Sequence, residues 1–263
     1  EVLSKIAELR SKKIIITLHG GNLPTFFKAN RNRIESVFNR ADYIQTPSLS
    51  LQQFFLENNI KINYLPNPID LSDFSFNRGS VKPKSLLWVR AFNNIYNPEL
   101  AVKIIYEVRK THPETTLTMI GPDKGSLAEV KHLIKKLNLS SCIDIVGPIK
   151  NEKLYKYYQN HEVYLNTTSL ESFGVAVIEA ASCGTPALCS NIYGLHDAVI
   201  DNKTGFFHEV GSIDDIKKKM LYIIKNKKLV KNYGISARKK ILTDFEQSVI
   251  TKKLLSFLDS NIS

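Results

Sequence analysis

Two glutamates with seven residues between them are the first candidates for chemistry. Glu171 and Glu179 lie in the segment SLESFGVAVIEAASCGTPALCS, residues 169–190. The small apolar residues around Glu179 predict a helix that is covered on most sides. An unpaired carboxylate there would cost several kcal/mol, so it needs hydrogen-bond donors. Two vicinal hydroxyls of a ribose would serve; a surface-facing glutamate or an internal salt bridge is the alternative.

The start of the same predicted helix suits a phosphate. Helical spacing begins near Gly174, so the amides of Phe173, Gly174 and Val175 would be the unpaired hydrogen-bond donors of the first turn. These amides and the positive end of the helix dipole attract anions. The segment also follows a predicted strand, and open α/β sheets bind ligands at the carboxyl ends of their strands.

Short β-rich runs alternate with helical patterns along nearly the whole chain, which predicts an α/β protein with parallel, doubly wound sheets. The predicted strands cover residues 12–18, 40–47, 62–67, 86–90, 116–121, 143–147, 162–167, 185–190 and 204–209. A helix over residues 48–59 is expected to be capped by Ser48 or Ser50.

The polar, non-periodic segment 77–85 predicts a linker between two domains. Residues 1–76 supply only about three strands, few for an α/β sheet, so this first domain is expected to be incomplete, with its missing part before residue 1. Residues 86–241 predict a full Rossmann-type domain, and residues 242–263 a C-terminal helix.

Bulk composition narrows the function classes. The formal charge is +11, mostly from lysines scattered over helices, which we interpret as solvated helix faces, with an anionic membrane surface as the alternative. No nucleic acid is expected, because no zinc finger, RNP-like motif or arginine-rich arm is present. The three cysteines have no C-x-x-C spacing, which disfavours a zinc site and fits a reducing cytosol.

Several motifs together resemble a known family. The stretch ESFGVAVIEAASCGTPALCS is similar to the sugar-donor signature of glycosyltransferase family 4, the retaining E-x7-E enzymes of the GT-B fold. Weaker similarity is found in NIYGLHDAVIDNKTGFFHEVGSIDDI, YLPNPIDLSDF and TLHGGN. The resemblance implies a GT-B architecture of two Rossmann-like domains, the first incomplete here.

The resemblance also implies roles for individual residues. Glu179 would bind the nucleotide ribose, and Glu171 would lie near the sugar being transferred. Arg90, at the end of a predicted strand, would neutralise the diphosphate, with a structural ion pair as the alternative. The residues expected to line the donor site at the helix start are Ser172, Phe173, Gly174 and Val175. His19 would lie near the acceptor or the donor sugar, in a cleft between domains.

Two departures from the family pattern affect the diphosphate site. The family lysine five residues after the arginine falls on Ile95, and a family glycine is replaced by Val89. One cation on the leaving diphosphate is therefore missing. Either Asn97 or Lys124 substitutes for it, or turnover is weakened.

The implied reaction moves a sugar from a UDP- or GDP-linked donor to a glycan, lipid or other acceptor, with retention and without a cofactor. No metal is expected, since the chain contains no D-x-D. The expected location is cytoplasmic, with peripheral attachment to the inner membrane face left open. A C-terminal helix that crosses back to the first domain would couple domain closure to donor binding.

Two other functions stay open. The incomplete first domain and the absent lysine also fit a non-catalytic nucleotide-sugar binder or one subunit of a split enzyme. A sugar-nucleotide epimerase of similar fold is the third interpretation, although the segment ESFGVAVIE, residues 171–179, favours the transferase.

Overall fold

A computed structural model describes residues 2–20, 22–79, 81–171 and 173–261, apart from the side chains at positions 257, 260 and 261. Two compact units are present. The first contains Glu1–Ile69 and Asp244–Ser263, and the second contains Asp70–Thr243. The chain therefore passes from one unit to the other before the linker that was predicted over residues 77–85.

The first unit contains a three-stranded parallel sheet in the order β1-β2-β3. Its elements along the chain are α1 (Val2–Leu9), β1 (Ile15–Thr17), α2 (Leu23–Ala29), α3 (Arg31–Phe38), β2 (Tyr43–Thr46), α4 (Leu49–Glu57) and β3 (Asn63–Tyr64). Each of the three strands is four residues shorter than predicted. Ser48 caps α4 by accepting from the Leu51 amide at 3.4 Å, which selects it over Ser50 as the cap.

The phenylalanines of the first unit build its core. Phe27 and Phe38 each pack edge-on against Phe55, with ring centroids 5.0 and 5.6 Å apart. Edge-to-face packing of this kind adds about 0.5–1.5 kcal/mol per pair to the burial of the rings. Leu18 and Ile62 close the same cluster. The end of β1 is thereby held in place.

The second unit contains a six-stranded parallel sheet in the order β6-β5-β4-β7-β8-β9. Its strands are β4 (Lys82–Val89), β5 (Thr116–Ile120), β6 (Ile143–Gly147), β7 (His161–Asn166), β8 (Ala187–Ser190) and β9 (Gly205–His208). The strand order reverses between the neighbours β4 and β7, which is the place where open α/β sheets bind ligands. The start of β4 corrects the sequence prediction, because residues 82–85 were assigned to the linker.

Helices pack around this sheet and confirm the predicted alternation. They are α5 (Pro98–Arg109), α6 (Leu127–Lys136), α7 (Asn151–Asn160), α8 (Val175–Ser182), α9 (Tyr193–His196), α10 (Ile213–Lys225) and α11 (Lys227–Asp244). The last helix, α12 (Gln247–Asn261), lies in residues that group with the first unit. Among the described helices, none has the length and apolar character that a membrane span requires.

The apolar run of β4 explains its central position. Leu86, Leu87 and Trp88 are all at most 1% exposed, as expected for a parallel strand covered on both faces. The Trp88 indole N–H donates to the Thr167 hydroxyl at 3.0 Å. This bond joins the end of β4 to the loop that follows β7, and these are the two strands between which the strand order reverses.

We predict that Gly234→Ala lowers the melting temperature. An alanine in a helix interior is ordinarily about 1 kcal/mol more favourable than glycine. A Cβ at position 234 of α11 would, however, lie 2.0 Å from the Gly184 carbonyl oxygen, and such overpacking typically costs about 1–3 kcal/mol. Thermal unfolding measures the sign, with Ser236→Ala on an exposed face of α11 as the control. A Gly234→Ala variant as stable as the control would contradict this packing.

Candidate active site

The loops that follow β4 and β7 bring two predicted residues into contact. Arg90 directly follows β4, and its backbone amide donates to the Ile120 carbonyl at 3.0 Å. The Arg90 Nη2 donates to the Oε2 of Glu171, in the loop after β7, and each side chain is 15% exposed. The ion pair that the sequence left as the alternative for Arg90 is thus present, and its partner is the other catalytic candidate.

Arg90 keeps unused hydrogen-bonding capacity in this pair. Its Nε is buried and has no hydrogen-bond partner among the described residues. The guanidinium carbon lies 5.4 Å from the centre of the Tyr96 ring. Burial alone would lower the pKa of Arg90, but the nearby Tyr164 and Glu171 side chains outweigh it and raise that pKa. The site therefore holds a permanent cation, and one of its N–H groups has no hydrogen-bond partner among the described residues.

Glu179 is buried in α8, as the sequence predicted, and is 7% exposed. Its Oε2 accepts a hydrogen bond from the Tyr158 hydroxyl at 2.9 Å. Burial raises the pKa of Glu179, whereas the Tyr158 hydroxyl, the charge of Arg90 and the Asn151 side chain act in the opposite direction. The surface-facing alternative is excluded. The carboxylate has an internal partner, which is a tyrosine and not a cation.

Two buried tyrosines in this cluster were missed by the sequence analysis. Tyr158 on α7 and Tyr164 on β7 are both fully buried, with ring centroids 5.9 Å apart. The Tyr164 hydroxyl donates to the Val89 carbonyl at 3.1 Å. One signal was available for Tyr158: it follows buried Leu154 by four residues, so both lie on the inner face of α7. A buried hydroxyl there has to find an acceptor, and Glu179 was the acid without a partner.

The start of α8 has the geometry expected of an anion site. Gly174 adopts the left-handed region with φ 69° and ψ 43° and precedes the first helical residue, Val175. A Cβ on Gly174 would lie 2.5 Å from Leu195 Cδ2, so glycine is required by space as well as by backbone conformation. Among the described residues, no side chain caps this helix. Phe173 is buried at the helix start, and Ser172 lies outside the described residues.

The two residues proposed to replace the missing lysine differ in position. Asn97 has a left-handed backbone with φ 48°, and its carbonyl accepts from the Thr167 hydroxyl at 3.0 Å, so it borders the loop after β7. Lys124 is exposed, and its amide donates to the Phe92 carbonyl at 3.0 Å. Within the described chain, no ion pair joins the Lys124 ammonium to Glu171. The structure brings Asn97 to the cluster through its backbone only.

Ile95, which occupies the family lysine position, holds the two loops together. Its carbonyl accepts from the Ser169 amide at 2.9 Å and from the Thr168 hydroxyl at 3.1 Å. The side chain itself is 37% exposed. Position 95 therefore connects the two loops through its backbone carbonyl, and its apolar side chain carries no charge.

His19 lies in the first unit, two residues after the end of β1, and its side chain is exposed. The preceding Leu18 is fixed by a bond from its amide to the Gln45 carbonyl at 2.8 Å. Gly20 follows with φ 105°, a conformation that favours glycine. The cluster of the second unit thus contains Arg90, Glu171 and Glu179, and His19 belongs to a separate unit.

Comparison with known proteins identifies related sequences and folds. A family model described as "Glycosyl transferases group 1" matches residues 72–240. The D-inositol 3-phosphate glycosyltransferase of Paenarthrobacter aurescens (strain TC1) is 29% identical over 157 residues, which is 55% of this chain and 38% of that protein. This chain thus spans about two fifths of that relative's length.

Two solved structures match over nearly the whole chain. The Anabaena protein HepE in complex with UDP superimposes with a TM-score of 0.85 at 14% identity, covering 98% of this chain and 75% of that one. Sucrose-phosphate synthase from Thermosynechococcus elongatus gives a TM-score of 0.80 at 20% identity, covering 96% of this chain and 69% of that one. At these identities the likeness establishes the fold, and the predicted α/β architecture of GT-B type is confirmed.

We predict that Glu179→Gln stabilises the unliganded protein at neutral pH. Burial raises the pKa of Glu179, so the ionised form opposes folding. The favourable contribution of this carboxyl group to the free energy of folding is complete below the pKa that Glu179 has in the unfolded chain. That contribution is lost as the pH rises through the higher pKa that Glu179 has in the folded protein. A neutral glutamine should therefore add about 0.5–2 kcal/mol at neutral pH, the range of substitutions that relieve a functional compromise.

Denaturant unfolding of both proteins across pH tests this, and the two should converge in acid. Glu129→Gln on the exposed face of α6 is the control. A Glu179→Gln variant that is less stable than the wild type at neutral pH would show that the ionised carboxylate is fully compensated without ligand.

Proposed function

The chain belongs to the glycosyl transferases group 1 family, and on that premise we propose that it transfers a sugar from a UDP- or GDP-linked donor to a glycan, lipid or other acceptor. The proposal extends to family 4 and to retention of the anomeric configuration. The observation that carries it is the buried Glu179 carboxylate at the sheet reversal, beside the Arg90–Glu171 pair.

Glu179 supplies the ribose contact in this proposal. A carboxylate can accept about four hydrogen bonds, and Tyr158 accounts for one of them. Vicinal ribose hydroxyls would satisfy part of the remainder. Because α8 places Glu179 one turn after its own N-terminus, a nucleotide whose ribose reaches Glu179 has its phosphates near the first amides of the helix.

The diphosphate is held by Arg90 and by the start of α8. The Nε of Arg90 has no hydrogen-bond partner among the residues that the structure describes, so it could donate to a phosphate oxygen. Fixed donors and a permanent cation stabilise the negative charge that develops on the leaving diphosphate. The sugar itself would pass through an oxocarbenium-like state, as in glycoside hydrolysis. Asn97 and Lys124 are proposed as additional phosphate ligands.

Glu171 changes partner during binding in this scheme. Glu171 pairs with Arg90 in the structure, and the donor diphosphate would compete with it for the same guanidinium. Once displaced, the Glu171 carboxylate is available for hydroxyls of the donor sugar or for the charge of the transition state.

The proposal also covers the acceptor and the location of the protein. His19 is proposed to act on the acceptor or donor sugar, because it is exposed beyond β1 and is followed by Gly20 at φ 105°. The acceptor is a glycan or a lipid-linked molecule, and the lysine excess of a +11 chain fits peripheral contact with an anionic membrane from the cytoplasm. HepE was solved with UDP, which makes UDP the first nucleotide to test.

A second candidate function is supported by position 95. Ile95 is apolar where a second cation would assist the leaving diphosphate. A non-catalytic nucleotide-sugar binder does not need that cation. Nucleotide binding by the complete chain without sugar transfer or hydrolysis of the donor would favour this function over the transferase.

We predict that UDP or GDP binds the wild type and that Glu179→Ala weakens the binding at least tenfold. The substitution removes the carboxylate acceptor for ribose hydroxyls, and loss of a hydrogen bond to a charged group is worth about 1.5–3 kcal/mol. Isothermal titration calorimetry gives Kd for both proteins, with Glu129→Ala on α6 as the matched carboxylate control. Unchanged affinity in Glu179→Ala would refute the ribose assignment.

Glu171→Gln is expected to act in the opposite direction on nucleotide affinity. A neutral glutamine no longer competes for Arg90, so UDP or GDP should bind about three- to tenfold more tightly, the equivalent of roughly 1 kcal/mol. Sugar transfer or donor hydrolysis should fall in the same variant. Calorimetry and a product assay provide the two readouts, with Glu129→Gln as control. Weaker nucleotide binding in Glu171→Gln would rule out the competition.

A further inference from the structure

The Tyr158–Glu179 hydrogen bond joins two buried side chains from neighbouring helices. Tyr158 is 0% exposed on α7 and Glu179 is 7% exposed on α8. The Tyr158 hydroxyl lies 2.9 Å from Glu179 Oε2. The hydroxyl is the only polar atom of the Tyr158 side chain, and it is bonded to the carboxylate of the proposed ribose site.

Tyr158 is itself anchored at the opposite end. Its backbone carbonyl accepts from the Thr185 hydroxyl at 2.5 Å, and Arg78 Nη1 donates to that same hydroxyl oxygen at 2.6 Å. Arg78 also donates to the His161 carbonyl at 2.7 Å. The end of α7 is thus bonded to Thr185, which precedes β8, and Arg78 links Thr185 to His161 at the start of β7. The Tyr158 ring has a fixed base from which to reach Glu179.

Aromatic packing restricts the ring as well. The Tyr158 ring packs against both Phe74 and Tyr164, at centroid distances of 6.2 and 5.9 Å. These contacts limit how far the ring, and with it the hydroxyl, can move.

Tyr158 is also a permanent hydrogen-bond donor. Burial, followed by the nearby Glu179 charge, raises the pKa of Tyr158 well above its ordinary value. The hydroxyl therefore keeps its proton at neutral pH and donates a hydrogen bond to the carboxylate. This hydrogen bond favours the ionised state of Glu179, which is the state that accepts hydrogen bonds from ribose hydroxyls.

We propose that Tyr158 is a positioning residue for the nucleotide, which keeps the Glu179 carboxylate ionised and turned so that its remaining lone pairs face the ribose. The inference rests on the proposed function and adds to it a residue that never touches the substrate. Affinity for the ribose hydroxyls would then depend on Tyr158 as well as on Glu179. A merely structural tyrosine would contribute to folding and leave the pH dependence of binding unchanged.

The groups around Glu179 determine how that pH dependence should move. They are Tyr158 and Asn151 on α7, Arg90 after β4, Tyr164 on β7 and Cys183 at the end of α8. Removing the Tyr158 hydroxyl takes away a group that opposes the effect of burial. The pKa of Glu179 then rises further, and nucleotide binding is lost at a higher pH than in the wild type.

The experiment compares wild type, Tyr158→Phe, Glu179→Gln and the double variant by calorimetry with UDP, or with GDP if the wild type binds only GDP. Tyr158→Phe keeps the ring and removes one oxygen. It should weaken nucleotide binding about tenfold near neutral pH, and the midpoint of the acid loss of binding should move to higher pH. Tyr155→Phe, on an outer position of α7, is the matched control.

The double variant shows whether Tyr158 positions Glu179 or only contributes to folding. If Tyr158 acts through Glu179, the double variant should bind no more weakly than Glu179→Gln alone. The corresponding 2′-deoxynucleotide should bind the wild type more weakly than the ribonucleotide, and Tyr158→Phe should shrink that difference. Additive losses, an unmoved pH midpoint, or a lower melting temperature with unchanged Kd would each overturn the inference.

Failure of the proposed function gives a different pattern. If the wild type binds neither nucleotide, the glycosyltransferase proposal itself fails. If the wild type binds and Glu179→Gln weakens binding while Tyr158→Phe does not, the function stands and only the role of Tyr158 is refuted.

Discussion

A carboxylate in an apolar helix must be supplied with hydrogen-bond donors, and the second unit is arranged around that requirement. Burial penalises the charge of Glu179, and α8 leaves it 7% exposed. The Tyr158 hydroxyl meets part of the requirement. In the proposed function the ribose hydroxyls of the nucleotide would meet the rest, so the cost of burying this carboxylate would become a source of affinity for the nucleotide.

The order of the strands puts the other charged groups within reach. Because β4 and β7 are neighbours although α5, β5, α6, β6 and α7 lie between them along the chain, the residues after each strand face one another. Arg90 and Glu171 pair there, and the Trp88–Thr167 bond holds the two strand ends together. Gly174 then starts α8 in a left-handed turn that no side chain could occupy beside Leu195. The contacts that hold these loops in the fold are thus the same contacts that position the charged residues.

The sequence predicted those parts of the site that depend on local pattern. The helix around Glu179 and the glycine before it follow from apolar spacing and from one permissive residue, and both are present. Tyr158 was missed because its role arises from packing between α7 and α8, which lie two elements apart in sequence. Glu171 was a candidate, but its pairing with Arg90 depends on strand order, which periodicity does not encode.

The start of β4 was missed for a different reason. Residues 82–85 read KPKS, and proline and lysine are rare in strand interiors. The structure accommodates them with an irregularity between Lys82 and Leu86 in the pairing with β7, and Lys84 has φ 55°. Its amide bonds to the Glu162 carboxylate at 2.5 Å. A bulged strand of this kind has no regular alternation to detect.

The most direct test of the account is a crystal structure of the protein with UDP or GDP bound. The account predicts ribose oxygens within about 3.2 Å of the Glu179 carboxylate, with the Tyr158 hydroxyl still bonded to the same side chain. A nucleotide bound elsewhere on the second unit, or a ribose that points into solvent while Glu179 contacts Tyr158 alone, would contradict it.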